Sequence, residues 1–249
     1  MFTANDIILG RRSNIRIGIG CDTSSGNVER SVSTFDNDNI KMYHRPEELV
    51  NDLYSGKIDA AIRGDMPSSE LLQVLKVKAG VGGLERMAIL ETKMGRQIFL
   101  APVGIDEGWT VEQKYDMTKR SVDMIRGLGM EPRIAIMSGG RSEDIGRNPS
   151  VDGSIKDALE LVARLNKEGY NSYHAEILIE SAVEEADLIV APDGVAGNLI
   201  FRMLHFIANA VASGAPVMNI DKVFVDTSRA KTDYIDSILL AMRLAEDRK

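Results

Sequence analysis

The sequence predicts an α/β fold with a mostly parallel sheet. Three observations carry this. Short β-branched runs alternate along the chain with longer amphipathic stretches. Glycine or a small polar residue follows most of the runs, as it does where a strand gives way to a loop. The chain has 249 residues, 44% hydrophobic and 27% charged, enough to bury a core without a metal or disulfide staple.

Taken in order, Ile15–Gly20 reads as a buried strand entering a glycine turn. Glu47–Ser55 is an amphipathic helix that Gly56 stops. Ile58–Ile62 is a second strand, ending at Arg63-Gly64-Asp65, and Pro67-Ser68-Ser69 opens a helix over Glu70–Lys78. Met87–Glu91 and Gln97–Ala101 read as a hairpin or two strands joined by a short loop. Thr110–Leu128 carries Val111, Tyr115, Met117, Val122, Ile125 and Leu128 at roughly helical spacing, and glycines 127 and 129 end it. Arg133–Met137 is a strand and Ser154–Lys167 a helix stopped by Gly169. Asp187–Ala191 is a strand, Gly197–Ser213 an apolar helix, Lys222–Asp226 a last strand and Asp233–Glu246 a last helix.

Composition excludes several functions. Thirty basic against thirty-seven acidic residues give a net charge of −7, which disfavours nonspecific nucleic-acid binding. Aromatics are 5%, few for a single-strand stacking platform. No apolar run is long enough for a membrane span, because Asp193, Arg202, His205 and Pro216 interrupt the most apolar region. A lone Cys21 and the absence of a signal-like start lead to the expectation of a reducing cytoplasm. The histidines at 44, 174 and 205 stand far apart, so no metal is expected.

In parallel sheets ligands sit beyond the carboxyl ends of the strands. The chemistry is therefore expected in the loops 20–26, 63–67, 138–148, 192–198 and 226–232. Gly18–Gly26 is glycine-rich but lacks a nucleotide fingerprint; it is a polar site wall or a tight strand exit. Ser138-Gly139-Gly140-Arg141 combines a flexible backbone with a guanidinium that forks onto phosphate; the alternative is a plain surface loop. Asp226-Thr227-Ser228-Arg229 brings hydroxyl and guanidinium to a helix start, which suits an anion; the alternative is an N-cap.

Several segments, in order, resemble the phosphate acetyl/butyryltransferase superfamily. They are Gly56–Gly64, Arg86–Val103, Thr110–Lys114, Leu128–Ser138, Pro192-Asp-Gly-Val-Ala-Gly-Asn198 and Thr227-Ser-Arg-Ala230. Within it the chain is most similar to the methanogen MtxX family, labelled as methyltransferase subunit X and a methanogenesis marker.

The resemblance implies two three-layer α/β domains of the isocitrate/isopropylmalate-dehydrogenase-like kind with a cleft between them. Residues 1–79 plus 220–249 would form one domain and 80–219 the other. It implies Ser228 and Arg229 as catalytic residues that position a thiol and stabilise negative charge. Around the phosphorylated or otherwise anionic small molecule it places Arg63, Gly197 and Asn198; the loop residues themselves add Gly64, Ser138, Gly139, Gly140, Arg141, Asp193 and Thr227 to the expected binding set. Acyl transfer between an acyl phosphate and coenzyme A, or another thiol cofactor, follows from the superfamily. A methyltransferase role follows from the MtxX label, and a ligand sensor without catalysis is a third reading. A homodimer is implied as well.

Overall fold

The computed structural model describes residues 14–22, 26–35 and 39–248. Thr23-Ser24-Ser25, part of the first candidate loop, lie outside the described residues, as does the N-terminal segment. The strands are β1 (Ile17–Gly20), β2 (Ile40–Tyr43), β3 (Ala60–Ile62), β4 (Ala88–Glu91), β5 (Gln97–Ala101), β6 (Ile134–Met137), β7 (Ser172–Glu176), β8 (Leu188–Val190), β9 (Val211–Pro216) and β10 (Val223–Asp226). The helices are α1 (Asn27–Val32), α2 (Pro46–Tyr54), α3 (Ser68–Ala79), α4 (Val111–Gly127), α5 (Pro149–Lys167), α6 (Ile179–Glu185), α7 (Gly194–Arg202) and α8 (Ile235–Glu246).

The fold is α/β, and it forms two compact units: Met1–Leu84 with Ser213–Lys249, and Glu85–Ala212. In the first unit the strand order is β2-β1-β3-β10-β9, parallel except for β9, which runs antiparallel to β10. In the second it is β4-β5-β8-β6-β7, parallel except for the β4–β5 hairpin. The hairpin reading of Met87–Ala101 is therefore the right one of the two.

The first unit's sheet is covered on both faces. Gly18, Ala61 and Phe224 share one row of the sheet through the pairings of β1, β3 and β10. Ala61 and Phe224 pack with Leu49, Val50 and Leu53 of α2, Leu71 and Leu75 of α3, and Leu84, Val217 and Ile220. Gly18 has no room for a side chain, because a Cβ there would meet Ile58, Leu49 and Tyr43. On the alternate face, Val225 lies with Leu240 of α8 beside Gly214. In the second unit α4 and α5 pack together and against the parallel strands.

Caps explain where helices begin. The Thr110 side chain accepts from Gln113 N and starts α4. Asn148 accepts from Ser150 N, and Pro149 follows at the first helical position, so α5 starts before Ser154.

One expected element is corrected. Gly197–Ser213 is not a single helix. α7 ends at Arg202, a π turn covers Met203–Ile207, and the chain re-emerges as β9. Asn209 takes a left-handed φ of 57°, which ends helical propagation. Ala210 N then donates to Leu204 O at 2.9 Å, and Ala210 O lies 2.8 Å from His205 Nδ1. β9 pairs Ala215 and Pro216 with Asp226 and Val225, so sheet closure overrides the apolar helical pattern. Four short elements had no sequence expectation: α1, β2, β7 and α6. No helix among the described residues is long and apolar enough to cross a membrane.

Candidate functional site

In the first unit the exits of β1, β3 and β10 are neighbours because their strands are parallel neighbours. Arg63, buried at 6% exposure, leaves β3 and pairs with the Asp226 carboxylate at the end of β10. Its Nη1 also donates to Met66 O at 3.0 Å. A buried guanidinium is tolerable only when its donors are filled in this way. Thr227 Oγ1 donates to Gly64 O at 2.7 Å, and Thr227 N to Asp226 Oδ1 at 2.9 Å. Gly64 is left-handed at φ 63°, and a Cβ on it would collide with Gly20 O, so the exits of β1 and β3 touch through backbone alone.

Beyond this interlock stand the two residues implied as catalytic. Ser228 is half-buried and its Oγ accepts from Ala230 N at 3.3 Å. Its carbonyl receives the hydroxyl of the fully buried Tyr234 at 3.3 Å. Arg229 is exposed and donates from Nη2 to Asp22 Oδ2 at 2.7 Å. The buried Asp65 accepts from Asp22 N, so it holds the residue that faces Arg229. Thus Arg63, Gly64, Thr227, Ser228 and Arg229 share one cluster.

Cys21 belongs to the floor of this cluster. Burial, with Glu29 and then Asp65 and Asp22 nearby, pushes its thiol up to about 12, so it is protonated at neutral pH and is no thiolate nucleophile. Burial lowers the Lys231 ammonium from its ordinary value, against the pull of Asp236 and Asp233.

In the second unit the exits of β5, β8, β6 and β7 form another cluster. The motif 192–198 is the start of α7, and each of its parts has a packing task. Asp193 caps the helix by accepting from Ala196 N at 2.8 Å. A Cβ at Gly194 would strike Gly104 O, and one at Gly197 would strike Pro102 O. Asn198 Nδ2 donates to Val103 O at 2.9 Å. The helix thus lies directly on the β5 exit, Pro102–Glu107. Glu107, 4% exposed, holds that exit by accepting from Arg86 Nε at 2.6 Å and Gly104 N at 3.1 Å. Burial raises its carboxyl, and Arg86 opposes the rise. Lys114 reaches from α4 to Pro192 O at 3.0 Å.

The Ser138–Ser142 loop is filled from inside. Gly139 N donates to Ser154 Oγ at 2.9 Å, Arg141 N to Asp144 Oδ2 at 2.9 Å, and Ser142 N to Glu176 Oε1 at 2.9 Å. Those amides are not offered to a ligand. Glu176 and Asp144 are each held below the usual carboxylate range, first by the amides of Ser142 and Arg141. The loop's exposed cation is the Arg141 guanidinium, 3.8 Å from Glu143.

Sequence reading placed Asp22, Asp65 and Asp226 in candidate loops without their partners, and missed Tyr234 in the first unit and Glu107, His174 and Glu176 in the second; all of these hold other residues in place. Pro102 and Gly104, just after the strand Gln97–Ala101, were an available signal for the β5 exit. His174 and Glu176 had none, because β7 has no β-branched run. No group of three or more metal-ligating side chains occurs among the described residues.

A family model described as "Phosphate acetyl/butaryl transferase" matches residues 49–242. The protein called "Putative methyltransferase mtx subunit X" in Methanosarcina mazei is 44% identical over 205 residues, covering 82% of this chain and 73% of that protein. Among solved structures, a branched-chain phosphotransacylase from Enterococcus faecalis gives a TM-score of 0.72 at 17% identity, covering 93% of this chain and 99% of that one. A phosphotransacetylase from Streptococcus pyogenes gives 0.68 at 14% identity, covering 98% and 96%. At such identities these two structures speak for the fold alone.

Proposed function

Because the chain belongs to the phosphate acetyl/butaryl transferase family, and within it to the relatives that carry the mtx subunit X name, we propose that it transfers an acyl or other small carbon group between an acyl phosphate-type donor and a thiol such as coenzyme A. The observation that carries this reading is the cluster in the first unit. It leaves a hydroxyl and a guanidinium, Ser228 and Arg229, on a loop pinned by Thr227 to Gly64 and backed by the Arg63–Asp226 pair. A pinned loop presents its donors without reorganising during the reaction.

In the proposed reaction the thiol sulfur attacks the acyl carbonyl carbon. The carbonyl oxygen takes up charge, the carbon–oxygen bond to phosphate breaks, and the thiol proton ends on the released phosphate. Ser228 orients the thiol and Arg229 meets the developing negative charge. Arg63, Gly64 and Thr227 hold that loop. In the second unit, Arg141, with Ser138, Gly139 and Gly140 shaping its loop, is the proposed contact for a phosphate-type anion. Asp193, Gly197 and Asn198 set the wall formed by α7. No metal is needed for this chemistry.

The test is incubation with acetyl or butyryl phosphate and coenzyme A, following phosphate release and thioester formation. Ser228→Ala and Arg229→Ala are expected to lower kcat by about 100-fold or more. Arg141→Ala is expected to raise KM for the acyl phosphate about tenfold with a smaller change in kcat. Absence of turnover, with coenzyme A binding unaltered by Ser228→Ala and Arg229→Ala, would sink the reading. Tight binding without turnover would instead identify a sensor.

The relatives' name favours a second reading, methyl transfer, and a link to methanogenesis belongs to that proposal. Methyl transfer to a thiol by the isolated chain from a pterin or corrinoid carrier would establish it. We also infer a cytoplasmic homodimer. Leu199, Met203, Phe206 and Ile207 expose 63, 57, 42 and 67% of their surface along α7 and its π turn, an apolar face that suits a second copy. Sedimentation should give a dimer, and Leu199→Glu with Ile207→Glu a monomer. A wild-type monomer would overturn that inference.

A further inference from the structure

Ser138 sits at the end of β6 with 1% exposure. Its Oγ lies 2.8 Å from Gly140 O and 2.8 Å from His174 Nε2. A hydroxyl has one proton, and a carbonyl oxygen can only accept. If the proton goes to His174, Gly140 O loses this donor. If His174 carries its proton on Nε2, it donates to Oγ, the hydroxyl donates to Gly140 O, and all three groups are satisfied. The second arrangement is the one a buried hydroxyl favours.

The backbone of β7 is shaped to make this contact. The β6–β7 register slips so that Ile136 pairs with His174 but Met137 with Glu176. Glu176 is left-handed at φ 55°, a conformation a glutamate rarely adopts. The irregularity lets two side chains of one strand end serve the same loop. His174 meets Ser138, and Glu176 accepts from Ser142 N at 2.9 Å and Ser142 Oγ at 2.7 Å. A Cβ on Gly140 would press into Val151 of α5, so the turn that His174 supports is closely backed.

We propose that His174 is a positioning residue for the anion-binding loop 138–142, fixing the Ser138 hydroxyl and the Gly140 turn through Nε2–H. The proposal rests on the reading of that loop as the binder of a phosphate-type anion. His174 does not touch the anion; it acts through Ser138. The charged group on its own strand is Glu176, which pulls its affinity for protons up, while burial pulls it down more. From the β6 exit it is faced by the uncharged Ser138. Farther along the loop are Arg141 and Asp144, and at the start of α5 is Asp152, which is occupied by Gly146 N. Burial thus favours the neutral imidazole, and a proton taken up on acidification would strengthen binding of a nearby anion.

The experiment uses the full chain and sulfate, whose charge does not change between pH 5.5 and 8. Imidazole nitrogen shifts report the His174 tautomer, and loop amide shifts report sulfate binding. The expected result is a proton on Nε2, a changed Nε2 shift in Ser138→Ala, and wild-type sulfate affinity that rises on the order of fivefold as His174 protonates, at the pH its own nitrogen shifts report. His174→Gln, whose amide can still donate to Ser138, should retain the pH 8 affinity and lose the rise. His174→Leu should lose both. A proton on Nδ1 instead, or the same pH slope in His174→Gln, overturns the positioning role while the anion reading stands. Failure of sulfate to move the amides of residues 139–142 at any pH overturns the anion reading and this proposal with it.

Discussion

The two clusters of strand exits solve one problem in different ways. In the first unit, loops are tied to one another: Gly64 against Gly20, Thr227 to Gly64, Arg63 to Asp226. The ties run between different strands and are buried. In the second unit, Asn198 ties α7 to the β5 exit that the buried Glu107 holds, but α7 starts on its own cap, Asp193, and the 138–142 loop is closed by the carboxylates of Asp144 and Glu176. The difference teaches where each half can be disturbed. The first resists local change and fails as a whole. The second can loosen one loop at a time, which is how a binding segment keeps mobility at low local stability.

The comparison breaks most visibly at Gly64. Gly64→Val combines a left-handed φ of 63° with a collision against Gly20 O. A loss above ~4 kcal/mol is expected, read as a shift of the urea midpoint, because neither backbone can retreat. Asp226→Ala comes next. It strands the Arg63 guanidinium, whose side chain is 8% exposed, and should destabilise the protein by about 3–5 kcal/mol. Adding Arg63→Met should recover much of that loss, since the damage lies in the unpaired charge. If Asp226→Ala unfolds at the wild-type denaturant concentration, the interlock is not what holds the first cluster. Asp193→Ala tests the second unit's style of closure. Loss of one cap should lower stability by ~1 kcal/mol. A loss as large as that of Asp226→Ala would erase the distinction between the units.

These contrasts show how far the sequence could be read. The parallel strands were legible because β1, β3, β5, β6, β8 and β10 are β-branched or apolar runs that end at glycine, proline or a polar residue. β7 was not, since Ser172–Glu176 carries polar and aromatic side chains and becomes a strand only by pairing with β6. β9 was hidden for the opposite reason: Val211–Pro216 continues an apolar helical pattern, and Asn209 alone marks the break. At the sites, glycine-rich and arginine-bearing loops could be picked out. Their partners could not, because Asp226, Asp22 and Glu176 are ordinary carboxylates until folding brings them to Arg63, Arg229 and Ser142. Resemblance placed Asp193, Gly197 and Asn198 in one motif, but only the fold shows that the motif rests on Pro102, Val103 and Gly104.

The finest distinction is between amides held by carboxylates and amides held by carbonyls. Ser142 N depends on Glu176, and Arg141 N on Asp144. Both carboxylates are held below their ordinary range, chiefly by those amide hydrogen bonds. A group depressed in the folded state contributes fully above its unfolded value, and the contribution disappears as pH falls through the folded one. The loop should therefore keep its amide protection at pH 5 and lose it on acidification below about pH 4, where carboxylates ordinarily protonate. Arg63 N, which donates to Val225 O at 3.0 Å in the first unit, has no such partner and should stay protected until the unit unfolds. Hydrogen exchange corrected for intrinsic rates reads both. Glu176→Gln, which can still accept through its amide oxygen, should weaken Ser142 protection at pH 7 and flatten its acid dependence without touching Arg63. Equal acid sensitivity at Ser142 and Arg63 would mean that the loop opens only with the whole molecule, and that the two units are closed by the same kind of contact after all.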